Sequence, residues 1–189
     1  LATLAREFAD DGGNLYEGAL SDFRADWVAT FERDTNESDP DRSDLDGVVA
    51  ALEVDDAHLL PALEAVVDLP AFFDFWAMEV LTGHWDGYAA NRNNFYAYRD
   101  PAGGRFVFIP WGIDASFREN ERPRPDGKPP ATSVAATGRL AWRLYRHPEG
   151  RARYLARLDA LLDTVWDEPA LLAEIERMHA LVRPHLADG

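Results

Sequence analysis

Apolar positions along the chain fall mostly at helical spacing, interrupted by one pair of short aromatic runs. The densest block is Phe72, Phe73, Phe75, Trp76, Met78, Val80 and Leu81, behind Asp68-Leu69-Pro70. Its apolar residues leave almost no polar face, which predicts a buried central helix that starts at Asp68 and stops at Gly83. Further helices are predicted from Ser43 (Val48, Val49, Leu52), from Asp55 or Asp56 through Val67, from Gly138 to His147, from Pro148 to Trp166, and from Pro169 onward through Leu171, Ile175, Met178 and Val182. Ser43 with Asp46 three residues on gives a capping-box-like start. Phe95–Tyr98 and Phe106–Ile109 flank Arg99-Asp100-Pro101-Ala102-Gly103-Gly104, a hairpin signal. Asp10-Asp11-Gly12-Gly13-Asn14 marks a turn, followed by a short strand at Leu15–Gly18. Trp27–Phe31 alternates weakly and is taken as a strand. The sum is a mainly α protein with one short β-hairpin, an α+β domain.

Composition narrows the partners. The 189 residues suffice for one domain with a sizeable core. A formal charge of −15, with 34 acidic and 19 basic residues, argues against nucleic acid and against an anionic membrane surface. It favours a basic protein or a cationic ligand at long range. The absence of cysteine removes disulfides, thiolate zinc sites and cysteine nucleophiles. No apolar run reaches the roughly 18 residues of a membrane span. The acidic stretch 34–46 invites a calcium-loop reading from Asp39, but EF-hand positions six and twelve fall on Asp44 and Ala50 rather than glycine and glutamate. A helix-capping loop is the better reading.

The candidate chemistry lies between His84 and Asp114. His84-Trp85-Asp86 followed after four residues by Asn91 has the spacing of a kinase catalytic loop. Phosphoryl transfer needs a carboxylate to orient the attacking hydroxyl, a neutral oxygen ligand a few residues on, and a second carboxylate that reaches the same metal from another segment. The hairpin can fold Asp114 back toward Asp86. The competing reading makes Asp86 and Asn91 an Asx turn that closes a loop, His84 a helix-end residue and Trp111 a core residue. A metal-dependent hydrolase built on Asp86 and Asp114 is disfavoured, because no histidine cluster accompanies them.

Trp85-Asp86-Gly87-Tyr88, then Asn93-Asn94-Phe95-Tyr96-Ala97-Tyr98-Arg99-Asp100, then Phe108-Ile109-Pro110-Trp111-Gly112-Ile113-Asp114 resembles the CotH family, atypical kinase-like proteins named from spore coat assembly. Asn14-Leu15-Tyr16-Glu17, Asp68-Leu69-Pro70-Ala71-Phe72 and the closing helices from Leu140 extend the resemblance over most of the chain. It implies an ATP- and Mg2+- (or Mn2+-) dependent kinase that phosphorylates serine on protein substrates, located in a spore coat, at a cell surface or secreted. Asp86 would be the catalytic aspartate. Asn91 or Asn94 would be the metal asparagine, and Asp114 the metal-binding aspartate. The family often carries P-W-D-x-D, and here the first acid is Gly112. A kinase-like fold also needs an upstream small lobe with a glycine-rich turn, a lysine and its glutamate partner. Nothing before Asp86 supplies them, and the sole lysine, Lys128, follows Asp114. The expectation is one large-lobe portion over 1–189, with 1–40 at the junction to a missing small lobe. Residues 118–133 would be an exposed loop whose Arg118, Arg122, Arg124 and Lys128 either meet phosphate or an acidic substrate, or are solvated. The alternative is a catalytically inactive assembly module of spore coat or envelope.

Overall fold

A computed structural model of the chain describes residues 2–117 and 134–186. The element order is α1 (Ala2–Glu7), β1 (Asn14–Gly18), β2 (Glu32–Arg33), α2 (Ser43–Glu53), α3 (Leu59–Glu64), α4 (Leu69–Leu81), α5 (Tyr88–Asn91), β3 (Phe95–Asp100), β4 (Arg105–Pro110), α6 (Arg139–Arg146), α7 (Pro148–Thr164) and α8 (Glu168–Val182). Single 310 turns lie at Val28–Thr30, Ile113–Ala115 and Arg183–His185. The hairpin is thus one half of a four-stranded antiparallel sheet of order β2-β1-β3-β4, with β4 at the edge. The register places Tyr16 opposite Ala97, and Ala97 opposite Phe108. The outer edge of β4 is covered by the chain entering α4. Phe106 N–H donates to the Val66 carbonyl at 2.8 Å, and Asp68 N–H to the Phe106 carbonyl at 2.9 Å. That pairing occupies edge groups that would otherwise be open to another chain.

α4 is the axis of the molecule. Asp68 caps it by accepting from Ala71 N–H at 3.2 Å, Pro70 sits in its first turn, and Gly83 beyond its end has φ +62°. These are the boundaries expected from the sequence. One face packs on the sheet through Phe72, whose ring centroid is 4.8 Å from that of Phe108. One turn further on, Trp76 stacks on Tyr154 of α7 at 3.8 Å, and its indole N–H donates to the Ala135 carbonyl at 2.6 Å. Phe23, Phe31, Tyr88, Phe95 and Phe106 complete one aromatic core between helix and sheet.

Four expectations change. Trp27–Phe31 is not a strand. Trp27 and Val28 N–H both donate to the Arg24 carbonyl, so a 310 turn forms and the strand begins only at Glu32. Ser43 does not cap α2. The Asp41 carboxylate does so from outside, accepting from Ser43 N–H at 2.8 Å and from the Ser43 hydroxyl at 3.0 Å. The helix expected to reach Val67 ends at Glu64, because Val66 and Asp68 are drawn into pairing with β4. Pro61 lies in its first turn, where its missing N–H costs nothing. Trp111 is not in the core: it is half exposed and meets Tyr96 edge-on at 5.4 Å. The loop expected at 118–133 lies outside the described residues.

Candidate functional site

The link from α4 to β3 is a loop with almost every turn tied by backbone. His84 N–H donates to the Glu79 carbonyl at 2.8 Å, Trp85 N–H to Gly83 at 2.8 Å and Gly87 N–H to His84 at 3.2 Å. The short helix α5 follows and is broken by Arg92, in the left-handed region at φ +58°, with Asn94 there too at φ +51°. Asparagine tolerates that region better than most residues. The two reversals turn the asparagine side chains back toward Asp86.

Asp86 is the hub. Its Oδ1 accepts from Asn91 Nδ2 at 2.6 Å. Its Oδ2 accepts from Asn94 Nδ2 at 2.9 Å and from Asn93 Nδ2 at 3.3 Å. Asp86, Asn91 and Asn94, singled out from the sequence, are therefore brought into direct contact, and Asn93 joins them. A carboxylate offers about four acceptor positions. Among the described residues, three amide donors fix its plane and leave one direction open.

Two buried acids that the sequence reading passed over hold this loop from below. Glu79 is 5% exposed. Its Oε1 accepts from Tyr88 N–H and its Oε2 from Ala89 N–H, both at 2.8 Å. Burial pushes its carboxyl up to about 8, against the pull of those two N–H groups. Asp22, 2% exposed, accepts from the Tyr88 hydroxyl at 3.2 Å and from Arg139 N–H at 2.9 Å at the start of α6. Burial raises its carboxyl too. The Tyr88 hydroxyl in turn accepts from Leu140 N–H at 3.0 Å. The sequence carried a weak signal for Glu79: with Asp74 it is one of two acids within the apolar run of α4, where an unpaired charge is costly unless hydrogen-bonded.

His84 is 3% exposed. Burial lowers its pKa, opposed by the Asp86 carboxylate, the Trp111 and Asn94 carbonyls and the Asp114 carboxylate. It is a neutral imidazole at pH 7, acted on by both aspartates named from the sequence. Asp114 itself is exposed, in the 310 turn Ile113–Ala115. It lines a cavity of about 620 Å3 between α4 and the 110–117 segment, whose walls include Phe75, Met78, Glu79, Phe108 and Phe117. Asp114 and Asp86 each act electrostatically on His84. Gly112 has φ +55°, and a Cβ there would lie 2.8 Å from Cγ and Oδ1 of Asn94. The glycine makes the room in which Asn94 lies against Asp86.

Among the described residues no three His, Cys, Asp or Glu side chains cluster as a metal cage. The available donors are carboxylate and amide oxygens. They suit a magnesium-type ion that keeps most of its waters and takes one or two protein carboxylates, and they do not suit a dedicated zinc or calcium site.

An α+β domain whose buried helix presents an amide-clamped aspartate ahead of an aromatic hairpin is the class these features define. The profile of the CotH kinase protein family matches residues 2–188, and the chain belongs to that family. Similar proteins are invasins of Rhizopus delemar. Invasin CotH2 is 40% identical over 58 residues, 30% of this chain and 10% of that protein. Invasin CotH3 is 29% identical over 119 residues, 57% of this chain and 20% of that protein. Invasin CotH7 is 26% identical over 142 residues, 72% of this chain and 24% of that protein. The chain spans between a tenth and a quarter of the length of these relatives.

Proposed function

We propose that this domain carries the phosphoryl-transfer centre of a CotH-type kinase, acting with ATP and Mg2+ (or Mn2+) on serine hydroxyls of protein substrates. The observation that carries the reading is Asp86, oriented by three asparagine amides with one acceptor direction left open. A substrate hydroxyl hydrogen-bonded there would be aimed and would lose its proton to the carboxylate. Asp114, with the amide oxygen of Asn91 or Asn94, would hold the metal. The ion would supply neutralisation of the phosphate charge. The small lobe that a complete kinase uses to cover nucleotide would precede residues 1–40. Net charge −15 favours a basic protein substrate.

The test is transfer of radiolabelled phosphate from ATP by the full polypeptide that carries this chain, with and without Asp86→Ala. The variant is expected to lose at least about 100-fold in rate, the scale of a positioned general base. Equal transfer by both proteins would remove Asp86 from this role.

A second reading is a non-catalytic binding or assembly module, and Gly112 favours it because it stands where the family often has an acid. Similar proteins named invasins are compatible with a surface role. Titration calorimetry of ATP with magnesium on the same polypeptide separates the two: binding supports catalysis, and silence supports the module.

A further inference from the structure

Glu79 has no part in the chemistry above, yet the backbone of the Asp86 loop converges on it. Its main-chain carbonyl takes the N–H of His84, where the loop begins. Its two carboxylate oxygens take the N–H groups of Tyr88 and Ala89, where the loop becomes α5. Asp86 lies between those anchor points. The fit is close: a Cβ on Gly87 would lie 2.2 Å from Glu79 Oε1 and 2.6 Å from His84 Cδ2. Position 87 can approach the carboxylate only because it is glycine. Among the described residues its carboxyl is met by those two backbone N–H groups. A buried acid is an expensive way to start a four-residue helix. It is understandable where the exact placement of the neighbouring aspartate matters more than stability.

We propose that Glu79 is a positioning residue, a latch that sets where Asp86 points by holding both ends of its loop from within α4. It acts through the backbone and touches no substrate. The consequence for the reaction rests on the phosphoryl-transfer reading, whereas the consequence for the loop does not.

The deciding variant is Glu79→Gln, a near-isostere. Glutamine has one acceptor oxygen and an NH2 that donates, so one of the two N–H groups would face a donor. Hydrogen exchange at Tyr88 and Ala89, read by NMR or mass spectrometry, should quicken roughly ten-fold at one or both amides, the loss of about one hydrogen bond's net worth. The melting temperature should change little. In the full polypeptide, kcat should fall roughly 10- to 100-fold with KM for ATP unchanged, as expected when a reacting group is displaced without loss of ligand contacts. Gly87→Ala approaches the same contact from the other side and should quicken the same amides. Parental exchange in both variants overturns the latch. So does a kcat loss that only matches the fraction of unfolded protein. A parent that transfers no phosphate overturns the catalytic reading alone, and the exchange result still decides the latch.

Discussion

Asp86 shows how much one carboxylate's surroundings can specify. Three amide donors hold it, and two of them, Asn93 and Asn94, follow or sit at a backbone reversal that only some residues accept. Gly112 is one such dependency at a distance. Gly112→Ala would place a methyl group against Asn94 and force an L-residue to φ +55°. The left-handed conformation alone costs about 1–2 kcal/mol. Chemical denaturation should show a loss of that order, and the Asn94 amide proton signals should shift as the side chain leaves Asp86. The residue-level chemistry was partly legible in the sequence. Asp86, Asn91, Asn94 and Asp114 stand at recognisable spacings, and the spacing carries the chemistry's own requirement. Asn93 and Asp22 were not legible, and Glu79 only as an acid within an apolar run, since their roles come from where the chain folds back and no local pattern encodes that.

At the scale of elements, hydrophobic periodicity located α4, α6, α7, α8 and the hairpin, because each has a pattern set by its own neighbours. It failed where tertiary pairing overrode local preference. α3 stops short because Val66 and Asp68 serve β4, and beside β1, which the sequence placed at Leu15–Gly18, the sheet gains β2 from a segment of two residues too brief to identify. Burial sorts the helices further. Trp76 in α4 is fully buried and stacked on Tyr154. Trp76→Ala should cost about 3–5 kcal/mol in urea unfolding. α8 has no buried residue, and Leu172, Ile175, Met178 and Leu181 are all about half exposed. Ile175→Ala should stay within about 0.5 kcal/mol of the parent by the same measurement, as surface substitutions usually do. A large loss there would mean that α8 is covered in solution.

For the whole molecule, buried acids set how stability responds to pH. Glu79 carries its proton up to about 8 when folded and releases it near 4.5 when unfolded. The folded state then holds the extra proton between those values, so this group's contribution is complete below 4.5 and is lost as pH rises to 8. Asp22, raised in the same direction, adds to the loss at the acid end. His84, lowered by burial, works the other way: the unfolded chain takes up its proton more readily, so its contribution improves as pH rises through 6.5. Above 6.5 the His84 contribution is largely complete, and the loss that Glu79 brings continues. Thermal melts from pH 6.5 to 8 should therefore fall for the parent, by about 2–4 °C for each kcal/mol lost, and stay flatter for Glu79→Gln. A parental slope retained in the variant would assign the pH response to other groups.

The contact between Glu79 and Gly87 also constrains how this domain can diverge. A side chain at position 87 is compatible with the loop only if the acid at 79 retreats, so the two positions are expected to change together across descendants of this sequence. The same contact limits transplantation. The segment from His84 to Asn94 grafted onto another helix would bring its aspartate and its asparagines, but not the glutamate five residues ahead of the histidine that gives them their shape.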